Sequence, residues 1–318
     1  MKIMIVGGAG FIGYYLTRLF REAGDEVVIF DSLQTFSVNE ESYRKYLPMR
    51  LEYLKQNAEI VKGDIRDREH LLSAMEKFKP DVVVHLAAIS IAPVSNKIPE
   101  EAISINIQGT VNVLTCARKL GTVKRLVFAS SSMAYGDFVR VPVRETDETD
   151  PVDVYGATKL CGEKLIKAYN MQYGLKYTIV RPSAVYGPLD TNNRVTQIFA
   201  ENAAHGKPIM LHDKGSAMLD FTYVEDAAQG FFLASKKHEA ENEIFNITRG
   251  EGRTLKELAN ILKKHKPDIG IVYKKSDMRR PVRGTLDITK AKKRLGYKPK
   301  YSLEDGMNLY FEFVKKNI

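Results

Sequence analysis

The sequence predicts a doubly wound α/β fold, built on a parallel sheet and extended by a smaller C-terminal lobe. Short apolar segments, such as 2–6, 26–30 and 81–85, alternate with longer segments whose apolar residues recur at helical spacing. Strands that alternate with helices are typical of a parallel sheet covered on both faces. Because ligands of such folds bind at the carboxyl ends of the strands, we expect functional residues directly after each strand.

The first strand, 2–6, is followed at once by Gly7, Gly10 and Gly13, with the spacing G-x-x-G-x-x-G. Phe11 to Ala23 then has the pattern of an amphipathic helix. Glycine permits a tight turn and lets backbone N–H groups approach a pyrophosphate at a helix N-terminus. A glycine motif is weak by itself, but here it lies between a strand and a helix, as dinucleotide binding requires. The candidate cofactor-binding residues of this loop are Gly7, Gly10, Phe11, Ile12 and Gly13.

Asp31 ends the second strand, 24 positions after Gly7. An acidic residue at this place hydrogen-bonds the adenosine ribose hydroxyls of a dinucleotide. Its charge would repel a 2′-phosphate, so the residue favours NAD over NADP. A simple turn residue is the alternative interpretation.

The third and fourth strands also end in candidate residues. Asp64 either hydrogen-bonds an adenine amino group or caps the helix that begins near Arg68. His85, at the end of the fourth strand, is more readily explained by packing than as a base. The connection 32–56, helical from Glu40, is given no chemistry. These strand ends add the candidate cofactor-binding residues Asp64, Ile65, Leu86, Ala87 and Ala88.

A long helix is predicted from Pro99 to Leu120, and it carries the polar residue Asn106. Solvent exposure and a buried structural hydrogen bond are competing explanations of this asparagine. The fifth strand, 124–129, leads directly into Ser130-Ser131-Ser132. Hydroxyl groups therefore lie where a cofactor is expected.

Tyr155 and Lys159 are four residues apart, so they share one face of the next predicted helix. Free tyrosine has a pKa near 10, which makes it a poor base at neutral pH. A neighbouring ammonium favours the phenolate, and the pair could then remove a proton from a substrate alcohol. The spacing often arises by chance, but its combination with the glycine loop, Asp31 and the serines does not.

In this order, the motifs make the chain resemble the extended short-chain dehydrogenase/reductase superfamily, and within it the NAD-dependent nucleotide-sugar epimerase/dehydratase family of UDP-glucose 4-epimerase-like proteins. The resemblance extends over nearly the whole chain and includes Arg181–Pro188, Asp220–Asp226 and Asp287–Tyr297. It implies a Rossmann-like NAD-binding domain and a nucleotide-sugar-binding lobe. The implied ranges are 1–182 plus about 221–249 for the domain, and about 183–220 plus 250–318 for the lobe.

The resemblance also implies roles for single residues. Ser131 would hydrogen-bond the reacting hydroxyl, and Tyr155 would be the acid/base. Lys159 would bind the nicotinamide ribose and lower the pKa of the tyrosine. Asn106, Tyr155, Lys159 and Pro182 complete the cofactor-binding set, the cofactor is NAD, and no metal site is expected.

Residues 130–136, which we call the serine loop, distinguish between subfamilies. Similar 4,6-dehydratases have an Asp-Glu pair directly after the hydroxyl residue, and related decarboxylases have a glutamate at the second of these positions. Here the two positions are Ser132 and Met133. Without an extra acid, the site can oxidise and re-reduce a carbon but has no evident group for eliminating water. This favours 4-epimerisation of a UDP-hexose or UDP-uronate through a transient ketone. The alternatives are a nucleotide-sugar 4-ketoreductase and, more remotely, a redox-inert NAD-sensing or RNA-binding protein.

The diphosphate of a nucleotide-sugar needs cations or N–H donors. Many relatives use an asparagine and an arginine where this chain has Ala184 and Leu219. Arg283, four residues before Asp287, is the first candidate to replace them. The candidate substrate-binding residues are Ser131, Tyr155, Arg194 and Arg283, with Arg279 and Arg280 as further possibilities.

Composition limits the class of protein. Hydrophobic residues make up 44% and charged residues 27% of the 318 residues, which is typical of a globular protein. No apolar run has the length of a membrane span, and two cysteines do not make a disulfide framework, so we expect a cytoplasmic protein with no membrane partner. The net charge of +9 is better explained by a solvated surface and anionic phosphates than by nucleic acid.

By resemblance, we expect a homodimer formed through the helix of Tyr155 and the one before it, with Leu165, Ile166 and the apolar positions of 103–114 as candidates.

Overall fold

The computed structural model describes residues 1–36, 40–276 and 281–317. Its first half alternates strands and helices, as the apolar pattern predicts. The elements are β1 (Lys2–Val6), α1 (Phe11–Glu22), β2 (Glu26–Asp31), α2 (Glu40–Asn57), β3 (Glu59–Lys62), α3 (Arg68–Phe78), β4 (Val82–His85), α4 (Ala92–Lys97), α5 (Pro99–Ile103), α6 (Gly109–Leu120), β5 (Arg125–Ala129) and α7 (Val154–Tyr173).

The second half contains more short strands. Its elements are β6 (Tyr177–Pro182), β7 (Val185–Tyr186), α8 (Val195–Ala204), β8 (Ile209–His212), β9 (Met218–Asp220), β10 (Thr222–Tyr223), α9 (Val224–Lys236), β11 (Glu243–Ile247), β12 (Gly252–Thr254), α10 (Leu255–His265), β13 (Ile271–Lys274), α11 (Thr289–Leu295) and α12 (Leu303–Lys316). No helix in the described ranges combines the length and the apolar character that crossing a membrane requires.

Seven strands form the central sheet, in the order β11-β6-β5-β4-β1-β2-β3. Every neighbouring pair is parallel, which confirms the predicted α/β class. Val6 lies opposite Phe30 on one side and His85 on the other, so the loops after β1, β2 and β4 meet at one edge. The strand order reverses between β1 and β4, and ligands of open parallel sheets bind at such a reversal.

Local details differ from the sequence prediction in three places. The helix predicted from Pro99 to Leu120 consists of α5, a π-helical segment, Ser104–Gln108, and α6. Asp67, and not Asp64, caps α3 by accepting from the backbone N–H of His70. The sequence pattern predicts a helix over 191–205, but α8 begins only at Val195, because the carboxylate of Asp190 accepts from the N–H of Asn192 and holds a turn there. Thr254 and Glu257, three residues apart, predict a capping box at the start of α10, and the structure confirms it.

A separate apolar cluster in the second half includes Tyr186, Phe199, Leu258 and Phe311. The helix α2, to which the sequence assigned no chemistry, reaches this part of the molecule. Its Ser42 hydroxyl donates to Glu201 at 3.0 Å, and its Arg50 donates to the carbonyl of Leu189 at 3.3 Å. Within the predicted range 250–318, Ile288, Ala291, Leu295 and Tyr297 pack on the core of the central sheet. The lobe boundaries stay a prediction.

Candidate active site

The loops after β1 and β4 are in contact, and Gly7 makes this contact possible. Gly7 has φ +86°, and a Cβ atom on it would lie 2.4 Å from the backbone nitrogen of Ala87. The N–H groups of Leu86 and Ala87 both donate to the carbonyl of Val6. The predicted residues Leu86, Ala87 and Ala88 therefore lie directly beside the glycine loop.

The carboxylate of Asp31 braces the glycine loop from the other side. One oxygen accepts from the N–H of Ala9 at 3.0 Å, and the other accepts from the N–H of Leu33 at 2.8 Å. Burial raises the pKa of Asp31, and these two backbone hydrogen bonds oppose that effect. The carboxylate lies at the end of β2, where a ribose hydroxyl is expected to bind.

The start of α1 fits a pyrophosphate. Gly10 precedes the helix and offers no side-chain cap, so Phe11, Ile12 and Gly13 present backbone N–H groups at a positive helix end. A Cβ on Gly13 would lie 2.5 Å from the carbonyl oxygen of Gly8, so the loop cannot accept a larger residue there. A loop shaped in this way, next to Asp31, fits the dinucleotide NAD.

The carboxylate of Asp64 forms its hydrogen bonds mainly with a neighbouring arginine. Arg66 donates to both of its carboxylate oxygens and also pairs with Glu101 at 2.8 Å. The hydrogen bond from Arg66 lowers the pKa of Asp64. Ile65 is buried, and its carbonyl accepts from Asn112 at 3.0 Å.

Asn106 is buried in the π-helical segment, which agrees with the structural explanation of this residue. Its side chain accepts from the N–H of Ile89 at 2.8 Å and donates to the hydroxyl of Thr158 at 3.0 Å. Thr158 lies between Tyr155 and Lys159 on α7, so Asn106 connects the end of β4 to that helix. His85 is also a packing residue: it contacts Thr110, and burial lowers its pKa to about 3.

Tyr155 and Lys159 lie on the inner face of α7. Asp153 caps this helix by accepting from the N–H of Gly156 at 2.7 Å. The tyrosine is 8% exposed and the lysine 3%. The ammonium of Lys159 lies 5.8 Å from the centre of the Tyr155 ring and donates to the carbonyl of Ala129 at 2.8 Å. The structure thus places both side chains at the end of β5.

Burial raises the pKa of Tyr155, and three neighbours oppose this effect: the charge of Arg194, a hydrogen bond with Ser131 and the charge of Arg283. Arg194 and Arg283 are thus two cations that lower this pKa. The effect expected of Lys159, whose ammonium donates to the carbonyl of Ala129, stays a prediction. Burial also lowers the pKa of Lys159 to about 7.

Arg283 reaches the serine loop from the far end of the chain. One of its terminal nitrogens donates to the hydroxyls of Ser132 and Ser183, each at 2.7 Å. Its buried Nε has no acceptor among the described residues. Burial lowers the pKa of Arg283 to about 10, and the charge of Asp220 opposes this.

Arg194, directly before α8, donates to the carbonyl of Val185 at 3.3 Å and pairs with Asp190 at 3.6 Å. Both arginines act on the pKa of Tyr155, so the fold brings these two predicted substrate ligands to one place. Arg279 and Arg280 lie outside the described residues. Pro182, the last residue of β6, lies opposite Ile247 of β11.

Sequence reasoning missed a buried ion pair behind the serine loop. The carboxylate of Glu163 on α7 accepts two hydrogen bonds from Arg181 on β6, at 2.8 and 2.6 Å. Glu163 also accepts from the hydroxyl of Ser130. The spacing of Glu163 from Lys159 was a signal for this face of the helix, but nothing local indicated Arg181 as its partner.

The fold and the site together fit an enzyme that binds a dinucleotide and acts on a carbon bearing a hydroxyl. A sequence model of the NAD dependent epimerase/dehydratase family matches residues 3–248, and the chain belongs to this family. The predictions of the family, of an epimerase and of NAD as cofactor are thereby confirmed.

Three similar proteins cover nearly all of the chain. The UDP-glucose 4-epimerase of Thermotoga maritima, crystallised with UDP-glucose, is 34% identical, with 99% of each chain covered and a TM-score of 0.90. The UDP-glucuronic acid 4-epimerase from Bacillus cereus, in complex with UDP-glucuronic acid and NAD, is 26% identical, with 99% of each chain covered and a TM-score of 0.91. UDP-glucuronate 4-epimerase 4 of Arabidopsis thaliana is 29% identical, over 98% of this chain and 74% of its own.

Proposed function

We propose that this chain is an NAD-dependent 4-epimerase of UDP-sugars. The observation that carries the proposal is the buried Tyr155, which lies beside Ser131 at the end of β5, without an acid at positions 132 and 133. The similar proteins named above are 4-epimerases of UDP-glucose or UDP-glucuronate, which supports this substrate class.

The positions of the residues support the following roles. Ser131 would hold the oxygen at C4 of the sugar, and Tyr155 would take the proton of that hydroxyl. When bound, NAD supplies the hydride acceptor and later the hydride donor. The pocket would let the ketone turn over between the two half-reactions, and Tyr155 would return the proton to the oxygen at the end. Arg194 and Arg283 would hold the diphosphate, because both cations lie near Tyr155 and Arg283 has an unused donor.

The proposal is tested by incubating the purified protein with UDP-glucose, UDP-galactose and UDP-glucuronate and resolving the sugars by NMR. We expect interconversion at C4 of at least one of them, and conversion of none would refute the substrate class. Tyr155→Phe should abolish turnover and leave NAD binding largely intact. Retained activity in this variant would show that Tyr155 is not the acid/base residue.

We also propose a homodimer formed by α5, α6 and α7. Ile103 on α5 and Met171 on α7 are 49% and 82% exposed, whereas the predicted contacts Ile166 and Leu114 belong to the core. Both cysteines are free, which favours a reducing compartment and therefore the cytoplasm. Light scattering on the purified protein gives the mass in solution, and a monomer would exclude the dimer.

A further inference from the structure

One face of α7 carries three polar side chains at intervals of four residues, Tyr155, Lys159 and Glu163. Their partners are three consecutive residues at the end of β5. Lys159 donates to the carbonyl of Ala129, Glu163 accepts from the hydroxyl of Ser130, and Tyr155 lies beside Ser131, whose side chain lowers the pKa of the tyrosine. The proposed chemistry involves the contacts of Lys159 and Tyr155 but assigns no role to the hydrogen bond between Ser130 and Glu163.

Glu163 is a rigid anchor for Ser130. Its carboxylate forms two parallel hydrogen bonds with Arg181, and the two side chains are 2% and 3% exposed. A bidentate pair of this kind fixes orientation as well as distance. The guanidinium of Arg181 also lies 4.5 Å from the centre of the Tyr135 ring, and the Tyr135 hydroxyl donates to Asn246 at 2.8 Å. The serine loop is therefore fastened at its beginning and at its end.

Ser130 lies between the two groups that serve the catalytic side chains. The carbonyl of Ala129 belongs to the peptide plane before Ser130, and the backbone of Ser131 begins with the plane after it. Because peptide units are planar, the φ and ψ angles of Ser130 set the angle between these two groups. Holding the Ser130 side chain restrains both of its neighbours.

We propose that Glu163 is a positioning residue, which acts through Ser130 to keep Ala129 against Lys159 and Ser131 against Tyr155. This inference rests on the proposed function. If the anchor is lost, Ser131 moves away from Tyr155, and Ser131 is one of the neighbours that lower the pKa of the tyrosine. Displacing a catalytic group by about 1 Å costs on the order of 100-fold in rate.

The test uses Ser130→Ala, which removes the contact and leaves the ion pair intact. We expect kcat to fall about 10- to 100-fold while KM stays within about twofold. The acid limb of the pH profile should move to higher pH, because Tyr155 must be deprotonated to act as a base. Ser130→Thr, which keeps the hydroxyl, should restore both properties. Ser235→Ala, which removes an equally buried serine hydroxyl that bonds within α9, is the matched control and should change neither.

Two kinetic results would overturn the proposal. One is a wild-type kcat and pH profile in Ser130→Ala. The other is a loss of kcat that is equal at every pH and is not restored by Ser130→Thr, because a general structural role behaves in this way.

A crystal structure of Ser130→Ala gives a reading that does not depend on turnover. We expect the carbonyl of Ala129 to move out of hydrogen-bond distance of Lys159, and an unmoved segment would refute the positioning role. If the wild-type protein epimerises no UDP-sugar, the proposed function fails, and this structure still decides whether Glu163 positions the loop.

Discussion

Replacing Arg283 separates the charge of this residue from its geometry. Arginine has five N–H donors in a fixed fork, and lysine has three. Two donors of Arg283 go to Ser132 and Ser183, and its Nε–H has no acceptor among the described residues. In Arg283→Lys, the same two hydroxyls leave one donor for a diphosphate, so the variant keeps the charge but loses bidentate binding. Arg283→Met loses both.

The expected size of the effect follows from one charge-assisted hydrogen bond, which contributes about 1.5–3 kcal/mol. Since 1.4 kcal/mol corresponds to a factor of ten, KM for the UDP-sugar should rise roughly 10- to 100-fold in Arg283→Lys. The rise should be larger in Arg283→Met. That variant should also show a lower kcat near neutral pH, because the charge of Arg283 lowers the pKa of Tyr155.

The assay is steady-state epimerisation of the accepted UDP-sugar, followed by NMR, with bound NAD quantified for each variant. Arg294→Met is a suitable control, because Arg294 is 41% exposed and pairs with Glu243 on the surface. Its KM should equal that of the wild type. If Arg283→Met leaves KM within about twofold of the wild type, Arg283 does not bind the diphosphate.

Three further predictions concern the cofactor side of the site. Gly7→Ala should lose NAD, because the added Cβ would collide with the backbone of Ala87. Gly24→Ala is the control and should keep NAD, because Gly24 has a similar φ of +75° but a Cβ there would have no atom within 4 Å. Equal NAD content in both variants would contradict this prediction. Asp31→Asn should raise the affinity for NADP relative to NAD at least about tenfold, measured by calorimetry, because a 2′-phosphate no longer meets a carboxylate. An unchanged ratio would show that Asp31 does not bind the ribose. Burial lowers the pKa of Lys159 to about 7, whereas the unfolded lysine has a pKa near 10. Between about pH 7 and pH 10 the unfolded chain therefore binds more protons than the folded chain, so the stability of the wild type rises with pH in this range. Lys159→Met should therefore be more stable than the wild type near pH 6, by up to about 5 kcal/mol. This gain should shrink toward pH 10 in urea unfolding of the cofactor-free protein, and a gain independent of pH contradicts the buried charge.

The sequence predicted the features that depend on neighbours along the chain. Periodicity placed the strands, glycine spacing located the loop after β1, and Thr254 with Glu257 indicated the capping box of α10. Features that depend on distant residues were missed or left open. Arg181 pairs with Glu163, and Arg283 meets Ser132 across 151 positions, which only the folded sheet and the returning C-terminal segment bring about.

The charges around Tyr155 were predicted only in part. Spacing indicated Lys159 as a cation that lowers the pKa of this tyrosine, which stays a prediction. It did not indicate that Arg194 and Arg283 also lower that pKa, because the fold brings both of them to the site. A periodic pattern gives the face of a helix but not the position of an ammonium at the end of four methylene groups.

The central claim is that Tyr155 works by oxidation at C4 and return of the same hydrogen, with no acid at positions 132 and 133 to support elimination. Epimerisation in D₂O tests it most directly, with the sugar product examined by NMR. We predict inversion at C4 without deuterium at that carbon, because the hydride removed from the sugar is the one that returns. Deuterium at C4, or a product that has lost water, would contradict this account.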